Sequence, residues 1–399
     1  MRMWVYIIRR ILLVIPVVIG VMTITFTLTS QLTIDDRIIS AYGENPHLGL
    51  QPYIPCTQAG IDQPGLCKNP FYWRAVHQLG LDQPVPVQWG IYMFNSLTFN
   101  WGSVDNKSIA VQSIPVAQGQ KVTTVLGWLL PYTIELAFIS LAIIIAISVP
   151  LGNLSAVYRN RPIDQASRVI SFSGFALSTF LLGSLALMGI VLLLGPIHGW
   201  ASYSCSGQST FSDFYGSWPS RLCFAGQQYP SWLKDGIISS PTGFPTVDAI
   251  IHGQYWLALN TLERIIIPAL IIAFGTIAVL LRFVRNSMLE VMNLDFVRTA
   301  RAKGVPESTV IKRHAGRNSL NVTITVLGLT FAGFVGGFPV IEDVFNLNGV
   351  GRILAYSVEQ PYDYGLIFGA TLLFTFLVVA ANIIVDVLYA YLDPRVRLG

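Results

Sequence analysis

Long apolar stretches separated by polar connections dominate the chain. Six of them reach the length needed to cross about 30 Å of hydrocarbon, which takes about 20 residues: Ile11 to Ser30, Leu126 to Leu151, Val169 to Leu194, Ile265 to Leu281, Val322 to Ile341 and Leu366 to Leu388. The fourth is short and the fifth is rich in glycine and threonine, so their ends are the least defined. Pro16, Pro131, Pro150 and Pro268 fall in or near these stretches, where proline is tolerated better than in soluble helices. The pattern predicts an all-α polytopic membrane protein with six transmembrane helices.

One polar, basic island interrupts the C-terminal half. From Asp295 to Ser319 it carries Arg298, Arg301, Lys303, Lys312, Arg313 and Arg317. At about 2.5–3.5 kcal/mol per charge at the bilayer centre, such a segment stays on a membrane surface. Its residues predict a helix, a break and a second helix. Asp295 suits an N-cap, Gly304 a helix C-terminus, and Pro306 the first position of the next helix, with Val305 pushed out of the α region before it. Glu307 and Ser308 then occupy a first turn where the dipole favours an anion. Arg298 and Arg301 are expected on one face, Phe296 and Ala300 on another.

Lys and Arg placement sets the orientation. Arg9 and Arg10, Arg159 to Arg168, Arg282 to Arg317, and Arg395 with Arg397 all fall on one side of a six-span arrangement. Both termini and the island are therefore expected in the cytoplasm of a multi-pass cell-membrane protein. The apolar run after Arg10 extends to Ser30 without a clear small-residue cleavage pattern, which favours a retained first span over a signal peptide. The chain then divides into the N-terminus and first span (1–30), an extracytoplasmic loop domain (31–124), the second and third spans (125–196), an extracytoplasmic insertion (197–264), and the last three spans (265–399) with the basic loop at 282–319. Both external connections are rich in Pro, Gly, Trp and Tyr and poor in charge, which predicts folded caps and not disordered linkers.

Composition agrees: 53% hydrophobic and only 12% charged residues, against about 25% charged in soluble domains. All four cysteines fall in the external connections, as suits an oxidising compartment. Of three possible pairings, Cys56–Cys67 and Cys205–Cys223 are favoured because each closes a short local loop, contributing on the order of 3 kcal/mol. No GxxxxGK[ST] phosphate loop, HExxH or GxSxG occurs, so the chain shows no Walker-type ATP site and no simple hydrolase signature. No CxxC pattern points to a metal. A juxtamembrane basic cluster reads as topology or docking, not as a nucleic-acid contact. Glu135 and Asp386 lie within spans, where an acid is a candidate for an ion or substrate pathway; their positions towards span ends favour a structural role. Glu342 and Asp343 are expected at the outer mouth, as a solvated rim that could also bias substrate choice.

Extended backwards, the island reads RFVRNSMLEVMNLDFVRTARAKGVPESTVIKRHAGRN. It resembles the cytoplasmic loop of permease subunits in ATP-binding-cassette importers of the dipeptide and oligopeptide family. The similarity rests on RTARAKG (298–304), on Arg313-His314-Ala315 and on Arg317-Asn318; it departs at Gly316, where a larger apolar residue is usual, and at Asn321 and Val322, where proline is common. Leu130 to Leu136, Arg264 to Pro268, Gly349 to Arg352, Asp363-Tyr364 and Asp386 to Arg395 also resemble the family, as does 77–104 its first external loop, whereas Cys205 to Gly243 has no counterpart. Where the family usually carries a proline mid-way through the third span, this chain has Leu177-Ser-Thr-Phe180.

The resemblance implies a non-enzymatic transport subunit that binds no cofactor itself. Its implied partners are a second homologous permease, two cytoplasmic ATP-binding subunits that hold ATP and Mg, an external solute-binding protein and membrane lipid. It also implies that a helix formed by Arg298, Thr299, Ala300, Arg301, Ala302, Lys303 and Gly304 docks in the ATPase, with Val305, Pro306, Arg313 and His314 in the lever behind it. The implied cargo is a peptide; the same machinery serves oligosaccharides or nickel in related systems. Rivals of another class are an ion-coupled secondary transporter using Glu135 or Asp386, and a sensor or scaffold built on the outer caps.

Overall fold

Apolar helices make up most of the chain in the computed structural model, which describes residues 3–42, 52–55, 66–105, 108, 117–198, 242–345 and 347–392. In order they are α1 (Met3–Ser30), α2 (Ile34–Tyr42), α3 (Pro70–Gln78), α4 (Val85–Leu97), α5 (Val122–Val157), α6 (Pro162–Ala176), α7 (Thr179–His198), α8 (Pro245–Ile251), α9 (Tyr255–Met292), α10 (Asp295–Ala302), α11 (Glu307–Thr309), α12 (Gly316–Val335), α13 (Pro339–Val344), α14 (Val350–Ser357) and α15 (Tyr364–Leu392), with a π-helical turn at Val310–Ala315. A two-stranded antiparallel ribbon, β1 (Tyr53–Pro55) with β2 (Leu66–Lys68), pairs Ile54 with Cys67. Cys67 is disulfide-bonded. Cys56, Cys205 and Cys223 lie outside the described residues, as does most of the 197–264 connection.

Four helices are long and apolar enough to cross a membrane: Ile8–Ser30, Val122–Val157, Ile265–Met292 and Tyr364–Val387. The pair Pro162–Gly174 and Thr179–Gly189, bent by 99°, raises the number to five if it forms one span. Three expected boundaries change. The third stretch is not one helix from Val169 to Leu194: Leu177 is extended at φ −94°, ψ 126°, and the Ser178 hydroxyl accepts from the Leu181 amide at 3.2 Å to start α7, as an N-cap does. The fourth runs far beyond Ile265–Leu281, through a 38-residue helix that accommodates Pro268. The fifth ends at Val335, ahead of Gly337 at φ +82°, and Pro339 opens α13 separately.

The chain forms two compact units. In the first, Met1–Ile11 with Pro131–Gly349 and Leu377–Gly399, α9 is the central helix. Its Ile265, Ala269, Ile272, Ala273, Leu280, Leu281 and Val284 form a core with Leu136 and Ile144 of α5 and Phe334 of α12. Small residues allow the close approach typical of helices in membranes. A Cβ on Gly174 of α6 would lie 2.6 Å from the Ala278 Cβ of α9, and one on Gly152 of α5 2.7 Å from Val284 Cγ1.

A polar node fastens the same helices. Asp164, fully buried in the first turn of α6, takes both arms of the Arg285 guanidinium from α9, Nε at 2.7 Å and Nη2 at 3.2 Å. It also accepts from Arg168 Nη2 at 2.9 Å, the Ser155 hydroxyl of α5 at 2.8 Å and the Asn160 amide at 2.9 Å. One carboxylate thus joins three helices, each partner being a donor that the ionised form requires.

The second unit comprises Leu12–Leu130 and Val350–Phe376. Trp89 Nε1 and the Tyr92 hydroxyl of α4 donate to Thr23 and Thr25 of α1 at 3.2 and 2.9 Å, and Ile38 of α2 packs on Tyr72 and Val76 of α3. Asp363 caps α15: its carboxylate accepts from the Leu366 amide and from the Asp105 amide, both at 2.9 Å. Burial nevertheless pushes its pKa up to about 6.

Two outcomes are expected. Arg285→Ala leaves the Asp164 charge buried without its fork and should cost about 3–5 kcal/mol, read as a lowered midpoint of thermal unfolding in detergent. Because Asp363 binds its proton more tightly when folded, its contribution is greatest below about pH 4 and declines as pH rises through about 6, by roughly 3 kcal/mol in all. Unfolding midpoints measured from pH 4 to 7 should fall for that reason, and Asp363→Asn should remove this part of the slope.

Candidate coupling segment

The basic segment starts where α9 ends. Leu294, extended at φ −73°, ψ 151°, is the N-cap, with no side-chain cap bond. Asp295, expected in that role, is instead the first helical residue, its carboxylate 3.6 Å from Arg298 Nη1. The buried face of α10 is Val297 and Ala300, which pack on Met288 and Val291 of α9, Ala156 of α5, and Val310 and Ala315 of the π turn. Phe296, expected beside Ala300, is 40% exposed. Spacing of three and four places Val297 and Ala300 on one stripe, and the neighbouring Phe296 falls off it.

The end of α10 follows from Gly304. At φ +74° it occupies the left-handed region, its amide reaches the Arg301 carbonyl at 3.0 Å, and the Val305 amide reaches the Ala300 carbonyl at 3.3 Å. These two bonds are the Schellman pair that closes a helix through a glycine, and Val305 and Ala300 meet in the same apolar cluster. Pro306 then caps α11 from outside at ψ 136° and does not begin it. Glu307 is used across the break, not for the helix dipole. Arg301 Nη2 and Nε donate to its two oxygens at 2.7 and 3.1 Å. The guanidinium holds the Glu307 carboxyl below the usual carboxylate range. Both side chains are exposed, so this fork contributes little stability; it fixes the angle between the two halves.

Beyond α11 the chain widens into the π turn, where the Gly316 amide bonds to the Ile311 carbonyl five residues back. A Cβ on Gly316 would sit 3.0 Å from that oxygen. The unusual glycine therefore has a local cause: the wide turn presses a carbonyl against its α-carbon.

What remains outward is chemically distinct. Leu294 and Phe296 are exposed apolar groups, flanked by exposed Arg298, Thr299, Arg301, Ala302, Lys303, Gly304 and Pro306, and by Lys312 and Arg313; His314 is half-buried. Lys303, Lys312, Arg313 and Arg317 have no ion pair among the described residues. Such a face, cationic around an apolar centre, suits an acidic partner with an apolar cleft.

The four acids named as pathway candidates separate. Glu135 is buried in α5, beside Thr246 and Asp248, and its Oε2 has no hydrogen-bond partner. Glu342 is not a solvated rim residue: it is buried on α13 and accepts from the Thr133 hydroxyl of α5 at 2.9 Å. Asp343 next to it is exposed. Asp386 is paired with Arg10 at 3.0 Å. Two buried acids were not foreseen, Asp164 and Asp248. Asp248 accepts from the Thr242 and Gly243 amides at 3.0 Å each, as Asp164 does from Asn160. Each follows a helix-starting proline, Pro162 or Pro245, within the first turn, and that spacing was the available signal.

Residues 148–398, which include the Asp164–Arg285 node and the whole basic segment, match the family described as binding-protein-dependent transport system inner membrane component. The chain belongs to this family. It is thus a multi-pass membrane permease component of an ATP-binding-cassette transporter, which functions with other subunits. Similar proteins include a probable D,D-dipeptide transport system permease of Escherichia coli (strain K12), 32% identical over 81% of this chain and 83% of the relative. An oligopeptide transport system permease of Bacillus subtilis (strain 168) is 30% identical over 98% of this chain and 99% of its own. A putative peptide permease of Brucella suis biovar 1 is 33% identical over the same shares.

For this inner membrane component, Val297→Asp buries a charge among Met288, Val291 and Val310 and should release the segment. Phe296→Asp should leave it in place. Limited trypsin digestion in detergent reads the difference: faster cleavage after the arginines of 298–317 in the first variant and an unchanged rate in the second.

Proposed function

We propose that this chain forms half of an import pathway for peptides or related small oligomers, delivered by an external solute-binding protein. The other half is a second, homologous permease, and two cytoplasmic subunits bind and hydrolyse ATP with Mg. Peptide cargo is supported by the three relatives described above, whose names all refer to peptide or dipeptide transport.

The observation that carries the mechanism is the two-part basic segment. Its buried stripe is anchored on α9 and α5, while its outer face leaves four cations and Phe296 unpartnered within the chain. In this reading α10 docks in an ATPase and Val305–Ala315 passes its movement to α12, so that nucleotide shifts a two-state packing of the spans. Six spans with both termini cytoplasmic and the 31–124 and 197–264 connections outside fit the Arg10–Asp386 pair, which brings the N-terminal part of α1 beside the C-terminal part of α15. Cys67 lies in the first of these connections, and its disulfide fits an oxidising exterior, with Cys56 as its assigned partner. Among the acids, Glu135 is the one assigned to the pathway, since Asp386 is engaged by Arg10 and Glu342 by Thr133.

The free oxygen of Glu135 also favours one second reading, coupling to an ion instead of ATP. Reconstituted vesicles separate the two. Uptake of a peptide panel should require ATP and the ATP-binding subunits; uptake driven by an ion gradient alone would establish the second reading. Gly304→Val has no neighbour to strike and acts only on the left-handed backbone. It should lower both ATPase association and uptake about tenfold or more, a loss of at least ~1.4 kcal/mol in coupling. Unchanged activity would sink the docking role.

A further inference from the structure

The second unit contains a cavity of about 130 Å³ that the transport reading does not use. At ~30 Å³ per water it has room for about four waters, the scale of one amino-acid-sized group and not of an extended oligomer. Its wall is mixed: Tyr92, Trp101, Tyr364 and Phe368 supply aromatic surface, and Arg37 and Gln88 supply polar atoms. Small, mostly apolar cavities with few placed polar groups are how organic ligands are held.

Arg37 is the feature that needs an explanation. Its guanidinium is half-buried, and its side chain has a single partner among the described residues, Gln88 Oε1 at 3.0 Å from Nη2. The acids beside it on α2 are turned to other work. Asp36 receives the Thr33 hydroxyl at 2.7 Å and Asp35 the Tyr72 hydroxyl at 3.0 Å. Gln88 is itself held, its Nε2 donating to the Leu81 and Gln83 carbonyls at 3.2 and 2.8 Å. That fixes Oε1 towards Arg37 and so positions the guanidinium. A cation with five donors, four of them free and partly removed from water, is costly unless an anion answers it.

The surrounding backbone is built to keep the wall close. A Cβ on Gly365 would lie 2.9 Å from the Ser40 carbonyl oxygen, and one on Gly102, at φ +90°, would strike the same atom. These contacts draw the start of α15 and the Trp101–Gly102 segment onto the end of α2, with Tyr364 stacked on Phe368 at 6.5 Å between ring centroids.

We propose that this cavity binds a small organic carboxylate bearing one aromatic or branched apolar group, with the carboxylate on the free arm of Arg37 and the apolar group against the aromatic wall. A planar guanidinium matches a carboxylate through two parallel N–H bonds. The proposal does not rest on what the transporter carries, and binding to the chain alone tests it without any uptake measurement.

The full-length chain, purified in detergent, is titrated by calorimetry with 3-phenylpropanoate, its amide, butanoate and benzylphosphonate. The carboxylate should bind saturably, with the amide and butanoate each about tenfold weaker or more, the amide for lack of charge and butanoate for lack of the ring. Arg37→Gln should lose at least as much. If that variant fails to fold, judged by circular dichroism and gel filtration, Gln88→Glu supplies an internal carboxylate to Arg37, should keep the fold, and should abolish binding. Equal affinity for acid and amide, unchanged affinity in either folded variant, or no saturable binding would overturn the proposal. Tighter binding of benzylphosphonate than of the carboxylate would overturn it too, in favour of a phosphate ligand such as a lipid headgroup.

Discussion

One buried carboxylate decides how the first unit is tied together. Asp164 has no exposure to solvent, so it persists as an anion only because Arg285, Arg168, Ser155 and the Asn160 amide answer it from three directions. In a molecule whose helix faces are otherwise Ile, Leu, Val and Ala, apolar packing has weak directional preference, and lipid competes for the same surfaces. A saturated ionic node has strong preference, since any slip of α6 along α9 strands a charge. The close glycine contacts at Gly152 and Gly174 then add their dispersion at a register that Asp164 has already selected.

The basic segment extends that logic to the ends of the same helices. Val297 and Ala300 hold α10 to α9 and α5, while the Schellman closure at Gly304 and the Arg301–Glu307 fork set the direction in which the chain leaves. Every one of these is a short-range, two-ended constraint. Together they make 295–319 a stiff bracket between α9 and α12 and not a loop, as transmission of a force requires. Arg298, Lys303, Lys312, Arg313 and Phe296 take no part in holding the bracket, so they are available to a partner without loss of internal structure.

Much of this was legible in the residues. Apolar length identified the membrane helices because burying an unsatisfied backbone in lipid leaves helix as the main option. Gly304 announced a helix end because few other residues accept positive φ. What failed failed for local reasons. Hydropathy is blind to a break such as Leu177–Ser178, where both halves stay apolar and only the Ser178 cap marks the start of α7. It also ran the fifth stretch past Val335, because Gly336 and Gly337 do not lower hydropathy although they end the helix. Asp295 and Pro306 were each placed one position from their true roles, a scale at which cap chemistry alone does not choose. Glu342 looked exposed beside Asp343 because adjacent acids suggest a surface, yet successive residues of α13 face opposite surroundings. Asp164 was overlooked among the arginines that it binds, since positive charges there were read for topology.

The π turn carries a consequence of a different kind. It holds one residue more than the α-helical path between the same end points, and in an α-helix each residue advances the side chain by about 100°. The rotational setting of α12, and hence which of its side chains face α9, is therefore counted out by the six residues Val310–Ala315. A lineage that lost one residue here would straighten the turn and swing the whole following helix by more than a quarter-circle. Substitutions within the turn alter a surface, whereas a change in its length alters the aim of everything after it. Gly316 is the residue at which that count closes.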